Sequence, residues 1–129
     1  MRKVLKAWLR KKHQSPDPND YTAQVSGSGS AGIDNIIDEM LKEDPALKRE
    51  TVVDLITRFN RKTADLVLSG YNVNTGLVQV SPVIKGGFNG KTWNSKVNTV
   101  SVSITQGPEL QHAVAETTVE ILGEQADSF

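Results

Sequence analysis

The spacing of apolar residues changes at Gly70, and this change limits the folds that the sequence can adopt. Between Ile33 and Gly70, apolar side chains recur every three or four residues, which is typical of amphipathic helices. After Gly70 they alternate with Asn, Thr, Gln and Ser, which is typical of half-buried strands. We therefore predict an α+β fold, and the length of 129 residues predicts one domain, over residues 1–122.

Two helices are predicted in residues 30–70. The apolar face of the first helix comprises Ile33, Ile36, Ile37, Met40 and Leu41. We expect Ser30 to cap this helix and Pro45 to end it. The second helix is predicted from about Lys48 to Ser69, with Gly70 as a left-handed C-terminal cap. Its apolar stripe comprises Val52, Ile56, Phe59, Thr63 and Leu66, widened by Val53 and Val67.

Strands are predicted on both sides of these helices. Residues 4–10 and 21–25 are expected to form N-terminal strands, paired as a hairpin, and the SGSGS segment that follows is a short connector. Residues 71–105 are expected to form a sheet, in which Pro82 indicates an edge or a bulge. Pro108 is expected to open a C-terminal helix over residues 107–122. Residues 123–129 are expected to be a flexible tail.

The charged residues are segregated along the chain although the formal net charge is zero. Residues 1–13 contain no acid, and their basic residues are Arg2, Lys3, Lys6, Arg10, Lys11 and Lys12. No Asp or Glu lies between Asp65 and Glu109, and no Lys or Arg follows Lys96. The later acids are Glu109, Glu116, Glu120, Glu124 and Asp127. Such segregation favours a basic DNA-binding surface, and chance clustering remains the alternative.

The sequence offers little for catalysis. It has no cysteine and only two histidines, His13 and His112, so a metal site is not expected. It has no catalytic or nucleotide-binding motif, and its glycine-rich stretch does not lead into a helix. We expect no enzyme activity, no cofactor and no small-molecule substrate. No apolar run is long enough to cross a membrane and no export signal is recognised, which predicts a cytoplasmic protein.

The order of predicted elements, from about Ile33 to Thr117, resembles that of the HU and integration-host-factor family. The stretch LKRETV at residues 47–52 is similar to the start of that family's second helix, although Lys48 replaces the usual cap. The run ITQGPELQHAV at residues 104–114 resembles the family's last strand and C-terminal helix. Residues 57–62, 68–76 and 118–125 resemble a poorly characterised bacterial HU-like group that has N-terminal strands. In that group an immunoglobulin-like domain often follows.

The resemblance implies a three-stranded sheet with a protruding β-arm, in an intertwined homodimer that binds double-stranded DNA in the minor groove. The arm would comprise residues 85–96, with Lys85, Lys91 and Lys96 on phosphates. Phe88 or Trp93 would wedge between base steps, and the amides of Asn89 and Asn94 would meet the groove edge. This arm lacks arginine, lacks a proline at its tip and is shorter than the arms of well-known members.

Two functions follow from the sequence. The first is an architectural, weakly sequence-selective DNA-binding protein of the bacterial nucleoid. The alternative is a protein-protein interaction or self-assembly module on an HU-like fold, which the zero net charge and the missing arginines favour. Trp93 has a structural alternative as a cap on the end of a hairpin. Arg58 and Lys62 are expected to form solvated ion pairs with Asp54 and Asp65.

Overall fold

The computed structural model describes residues 3–125, which contain three helices and six strands. The elements are, in chain order, β1 (Val4–Lys11), β2 (Tyr21–Val25), α1 (Ile33–Glu43), α2 (Arg49–Leu68), β3 (Val73–Asn74), β4 (Val78–Lys85), β5 (Thr99–Gln106), α3 (Pro108–Ala115) and β6 (Thr118–Glu124). The chain divides into two compact units. One comprises Met1–Ser30 with His112–Phe129, and the other comprises Ala31–Gln111.

The first unit is built on a three-stranded sheet with the order β2-β1-β6. The predicted N-terminal hairpin is present: β1 and β2 pair antiparallel from Ala7 with Val25 to Lys11 with Tyr21. Strand β6 pairs parallel with the other edge of β1, although the two strands are more than a hundred residues apart. The two ends of the described chain are therefore held together by backbone hydrogen bonds.

Strand β6 corrects the prediction for the C-terminal segment. The helix expected over residues 107–122 begins at Pro108 as predicted but ends at Ala115, and Thr118–Glu124 is a strand. The β-branched residues Thr118, Val119 and Ile121 favour a strand, and pairing with β1 satisfies their backbone groups. The expected flexible tail is wrong at Gly123 and Glu124, which belong to β6. Its last four residues lie outside the described part of the chain.

The second unit begins with the predicted helical hairpin, α1 and α2. The expected Ser30 cap is wrong, because the N-cap of α1 is Gly32, whose backbone N–H donates to Asn35 Oδ1 at 2.8 Å. Arg49, in the first turn of α2, forms ion pairs with Asp34 and Asp38 of α1. The guanidinium thus joins the two helices across the connection that follows Glu43.

Helix α2 ends as the sequence predicts. Gly70 has φ of +103°, in the left-handed region that glycine adopts at low cost. The Gly70 N–H donates to the Val67 carbonyl at 3.0 Å and the Tyr71 N–H to the Leu66 carbonyl at 3.1 Å, which is a Schellman motif. This cap turns the chain directly from α2 into β3.

The sheet of the second unit has the order β3-β4-β5, and its three strands were predicted. Strand β3 has only two residues, which pair with Gln79 and Val80 of β4. Beyond Val80, no strand of residues 3–125 pairs with β4 on that side, so Pro82 lies where a missing backbone donor is tolerated. Antiparallel pairing of β4 with β5 continues to Lys85 opposite Thr99, which places residues 86–98 at the end of this hairpin.

Few apolar side chains are buried. Among residues 3–125 they are Ala7, Ile37, Val52 and Val67. The helical faces are only half covered: Val52 and Val67 of α2 are buried, while Phe59 on the predicted stripe is 56% exposed. The apolar side chains of β5, Val100, Val102 and Ile104, are all exposed.

Candidate nucleic-acid interface

The structure places all seven predicted DNA-binding residues at one end of the β4–β5 hairpin. Lys85 is the last residue of β4, and the others lie in residues 86–98, which we call the β4–β5 loop. They are Phe88, Asn89, Lys91, Trp93, Asn94 and Lys96, and every one of them is exposed. The prediction that they belong to a single excursion from the sheet is therefore consistent with the fold.

The conformation of this excursion corrects the prediction of a β-arm. No strand continues past Lys85, and none begins again before Thr99. The segment is rich in Gly and Asn, whose side chains or backbone freedom favour turns over a hydrogen-bonded ladder. The Asn94 side chain illustrates this, since its Oδ1 accepts from the Lys96 N–H at 3.0 Å.

A buried amide organises the β4–β5 loop. Asn98 is 2% exposed, and its Nδ2 donates to the carbonyls of Gly86 and Gly87 at 3.2 and 3.1 Å. Its Oδ1 accepts from the Asn94 N–H at 2.9 Å. Sequence reasoning missed Asn98, because it considered only the exposed chemistry of the loop. The available signal was an Asn directly before the alternating pattern of β5, a position where side-chain caps are common.

Gly86, the first residue of the β4–β5 loop, also determines the direction of the loop's backbone. Its φ is +99°, a conformation that residues with a side chain rarely adopt. A Cβ added there would collide with the Val97 carbonyl. The chain therefore leaves β4 in a direction that only glycine permits. Gly87 has no such limit, since an added Cβ would meet no atom within 4 Å.

The two aromatic residues of the loop contact each other. The ring centroids of Phe88 and Trp93 lie 6.2 Å apart, and the angle between the ring planes is 69°. Aromatic pairs prefer such an edge-to-face arrangement. Their exposed fractions are 49% and 45%. A contiguous apolar surface is thus held at the loop, with a neighbouring amide at Asn89.

The electrostatic character of the loop is wholly positive. Lys85, Lys91 and Lys96 form no ion pair with any residue between Lys3 and Gln125. No acid occurs in the sequence from residue 66 to residue 108. Phosphate oxygens approaching the loop would therefore meet unpaired ammonium groups.

Other cationic residues have different surroundings. Arg58 Nε lies 3.1 Å from Asp54 Oδ1 one helical turn away, so the predicted solvated ion pair is present for that residue. The basic residues of β1 include Lys6, Arg10 and Lys11 in the first unit, and Arg2 lies outside the described residues.

No helix within residues 3–125 is long and apolar enough to span a membrane. The same residues hold no His, Cys, Asp or Glu cluster that suits a metal ion.

Comparisons with known proteins agree with these observations. A crystal structure of a protein from Bacteroides vulgatus, assigned as a bacterial DNA-binding protein, matches 99% of this chain with a TM-score of 0.85 and 32% identity. The chain spans 52% of that protein's length. No curated protein matches. A family model for HU-type DNA-binding domains matches residues 4–124. The chain therefore belongs to the family of HU-like DNA-binding domains.

Proposed function

We propose that this chain is a non-enzymatic, architectural DNA-binding protein that uses the β4–β5 loop on duplex DNA with weak sequence selectivity. The observation that carries the proposal is the loop itself. It brings three unpaired lysines and an aromatic pair to the exposed end of one hairpin, in a region without acids. Family membership supports DNA as the partner.

The loop chemistry suits the minor groove. Lysines at both ends of the loop and at its middle can contact phosphates on the two groove walls. Phe88 and Trp93 present apolar surface that can enter a base step and kink the duplex, as apolar wedges do in minor-groove proteins. The Asn89 and Asn94 amides can donate to adenine N3 and thymine O2, which distinguish base pairs poorly. Weak selectivity follows from such contacts.

We further propose that the binding form is a homodimer. Apolar faces on four elements of the second unit are left exposed among residues 3–125. They comprise Ile33, Ile36 and Met40 on α1, Leu55, Phe59 and Leu66 on α2, and Ile84, Val100, Val102 and Ile104 on β4 and β5. Apolar faces of this extent mark subunit interfaces in soluble proteins. A second copy has the same faces and can cover them with two-fold symmetry.

For a dimer, the proposal predicts how steeply DNA affinity falls with salt concentration. Lys85, Lys91 and Lys96 of two chains would supply six lysines, and six phosphate contacts correspond to a slope of about −5 in log affinity against log salt. We would titrate a fluorescent duplex of about 30 base pairs at low and physiological salt. Submicromolar binding that weakens with this slope is expected. A folded dimer that fails to bind even at low salt would contradict the proposal.

Such a failure would favour a protein-interaction module, which the same apolar faces and the zero net charge support. In that function the exposed faces of β4 and β5 would bind protein partners and the loop lysines would serve solubility.

For the DNA-binding function we place the protein on the bacterial chromosome, in the nucleoid. This location follows from the proposed ligand and from the bacterial source of the structural neighbour.

A further inference from the structure

We propose that Asn98 is a positioning residue, which holds the β4–β5 loop in its DNA-binding conformation before DNA arrives. This inference rests on the proposed DNA binding by that loop. Asn98 is the buried polar side chain of residues 3–125, and the loop around it is otherwise exposed. A buried amide is costly unless its donors and acceptor are paired, so its partners fix its place.

The hydrogen bonds of Asn98 clamp two positions within the loop. The Nδ2 donates to Gly86 and Gly87 at the loop's start, and the Oδ1 accepts from the Asn94 N–H. Closing the loop does not require these bonds, because the β4–β5 ladder already joins Lys85 to Thr99. The side chain of Asn98 instead acts on the path of the chain between these ends, where it adds to the backbone bonds at Asn94.

The clamped residues are the immediate neighbours of the aromatic pair. Gly87 precedes Phe88, and Asn94 follows Trp93. Holding Gly87 and Asn94 on the same side chain keeps the flanks of both rings in place, and the rings contact each other with centroids 6.2 Å apart. Asn98 therefore acts on the proposed wedge without contacting DNA itself.

The expected consequence is preorganisation. Without the hydrogen bonds of Asn98, the loop would have to become ordered as it binds DNA. The conformational entropy lost in that step would reduce the affinity. Three lost hydrogen bonds of ordinary net strength correspond to a loss of about 10- to 100-fold. Because Asn98 is uncharged, the number of phosphate contacts stays the same. The loss is therefore expected to be equal at every salt concentration.

The test uses Asn98→Ala and Asn98→Asp in a Trp8→Phe parent, so that Trp93 is the single tryptophan. Asn98→Asp retains the size and the acceptor of the amide but loses both donors and faces two carbonyl oxygens. Asn60→Asp is the matched control, because it adds the same charge at an exposed position of α2. The readouts are Trp93 fluorescence anisotropy without DNA, thermal unfolding, and duplex affinity across a salt series.

Both Asn98 variants are expected to lower Trp93 anisotropy and duplex affinity while the folded dimer is retained. The salt slope is expected to stay the same in Asn98→Ala, which leaves the charge of the loop unchanged. The Asn60→Asp control is expected to match the parent. Unchanged Trp93 anisotropy in both Asn98 variants would overturn the assignment of Asn98. If the parent itself fails to bind duplex, the proposed DNA binding is wrong, while the Trp93 signal still decides whether Asn98 orders the loop.

A measurement on the unmodified protein covers the case in which the variants fail to fold. The Asn94 N–H lies in an exposed loop, and its acceptor is the Asn98 side chain. We expect its hydrogen exchange to be slower than in an unstructured peptide. Exchange at the peptide rate in the folded protein would show that the clamp is not formed and would overturn the proposal.

Discussion

Three lysines supply the whole positive charge at the end of the β4–β5 hairpin. Lys85, Lys91 and Lys96 are exposed, without ion pairs among residues 3–125, and separated from every acid of the sequence by many positions. Ammonium groups in this setting are exposed to solvent and accessible to phosphate. In the proposed function, their contribution to DNA affinity would be electrostatic and measurable through its dependence on salt.

Replacing Lys85, Lys91 and Lys96 by Ala is expected to lower duplex affinity at low salt by roughly two to three orders of magnitude and to bring the salt slope near zero. The reason is that the proposed dimer would lose six phosphate contacts. Lys42, Lys48 and Lys62, changed together to Ala, give a control with the same change in net charge. An equal loss in this control would place the phosphate contacts on the helices.

Gly86 and Gly87 are adjacent glycines with different conformational demands. Gly86→Ala is expected to destabilise the loop by about 1–3 kcal/mol, because its φ of +99° is strained for Ala and the Cβ collides with the Val97 carbonyl. Gly87→Ala is expected to change stability by less than about 0.5 kcal/mol. Thermal unfolding and Trp93 fluorescence compare the two. Equal behaviour of the variants would contradict the described path of the loop.

Elements of the second unit also approach each other closely where β5 leads into α3. The Gly107 N–H donates to the Leu77 carbonyl at 2.8 Å, and the Glu109 N–H donates to the Gly76 carbonyl at 2.9 Å. These bonds attach the start of α3 to the turn between β3 and β4. The approach is close enough that a Cβ on Gly107 would collide with the backbone of Gly76 and Leu77.

Gly107→Ala is expected to destabilise the protein by about 1–3 kcal/mol, since backbone atoms on both sides must move to accept one methyl group. Gly27→Ala is the control, because an added Cβ there meets open space. Chemical denaturation of both variants measures the difference. If Gly107→Ala is as stable as Gly27→Ala, the junction of α3 with the turn is looser than described.

At the scale of the whole molecule, the small hydrophobic core limits the stability of a single chain. Four buried apolar side chains among residues 3–125 provide little of the hydrophobic free energy that a domain of this size needs. Burial of the α2 and β5 faces against a second copy would supply the remainder. Stability is then coupled to subunit association, so it depends on protein concentration.

We expect light scattering to give twice the chain mass of 14.1 kDa, and the unfolding temperature to rise with protein concentration. Phe59→Asp is expected to weaken the dimer by about 30-fold or more, as for a central apolar contact. On a monomer the same change, at a side chain that is 56% exposed, would cost little. Asn60→Asp is the neighbouring control, and equal effects of the two variants would exclude Phe59 from an interface.

The sequence by itself determined the type and order of most elements, because local patterns carry that information. The period of apolar residues placed α1, α2, β4 and β5, and Gly70 and Pro108 marked a helix end and a helix start. It also gathered the candidate DNA-binding residues into one excursion, since chain continuity alone keeps residues 85–96 together.

Tertiary structure decided what depends on partners distant in the sequence. Strand β6 exists because β1 offers an edge for parallel pairing, whereas the local sequence was also compatible with a longer α3. In the β4–β5 loop, one of three asparagines, Asn98, is buried and bonds Gly86, Gly87 and Asn94. Sequence patterns report what each side chain can do. Burial and long-range hydrogen bonding, which select among those possibilities, arise only when distant segments meet.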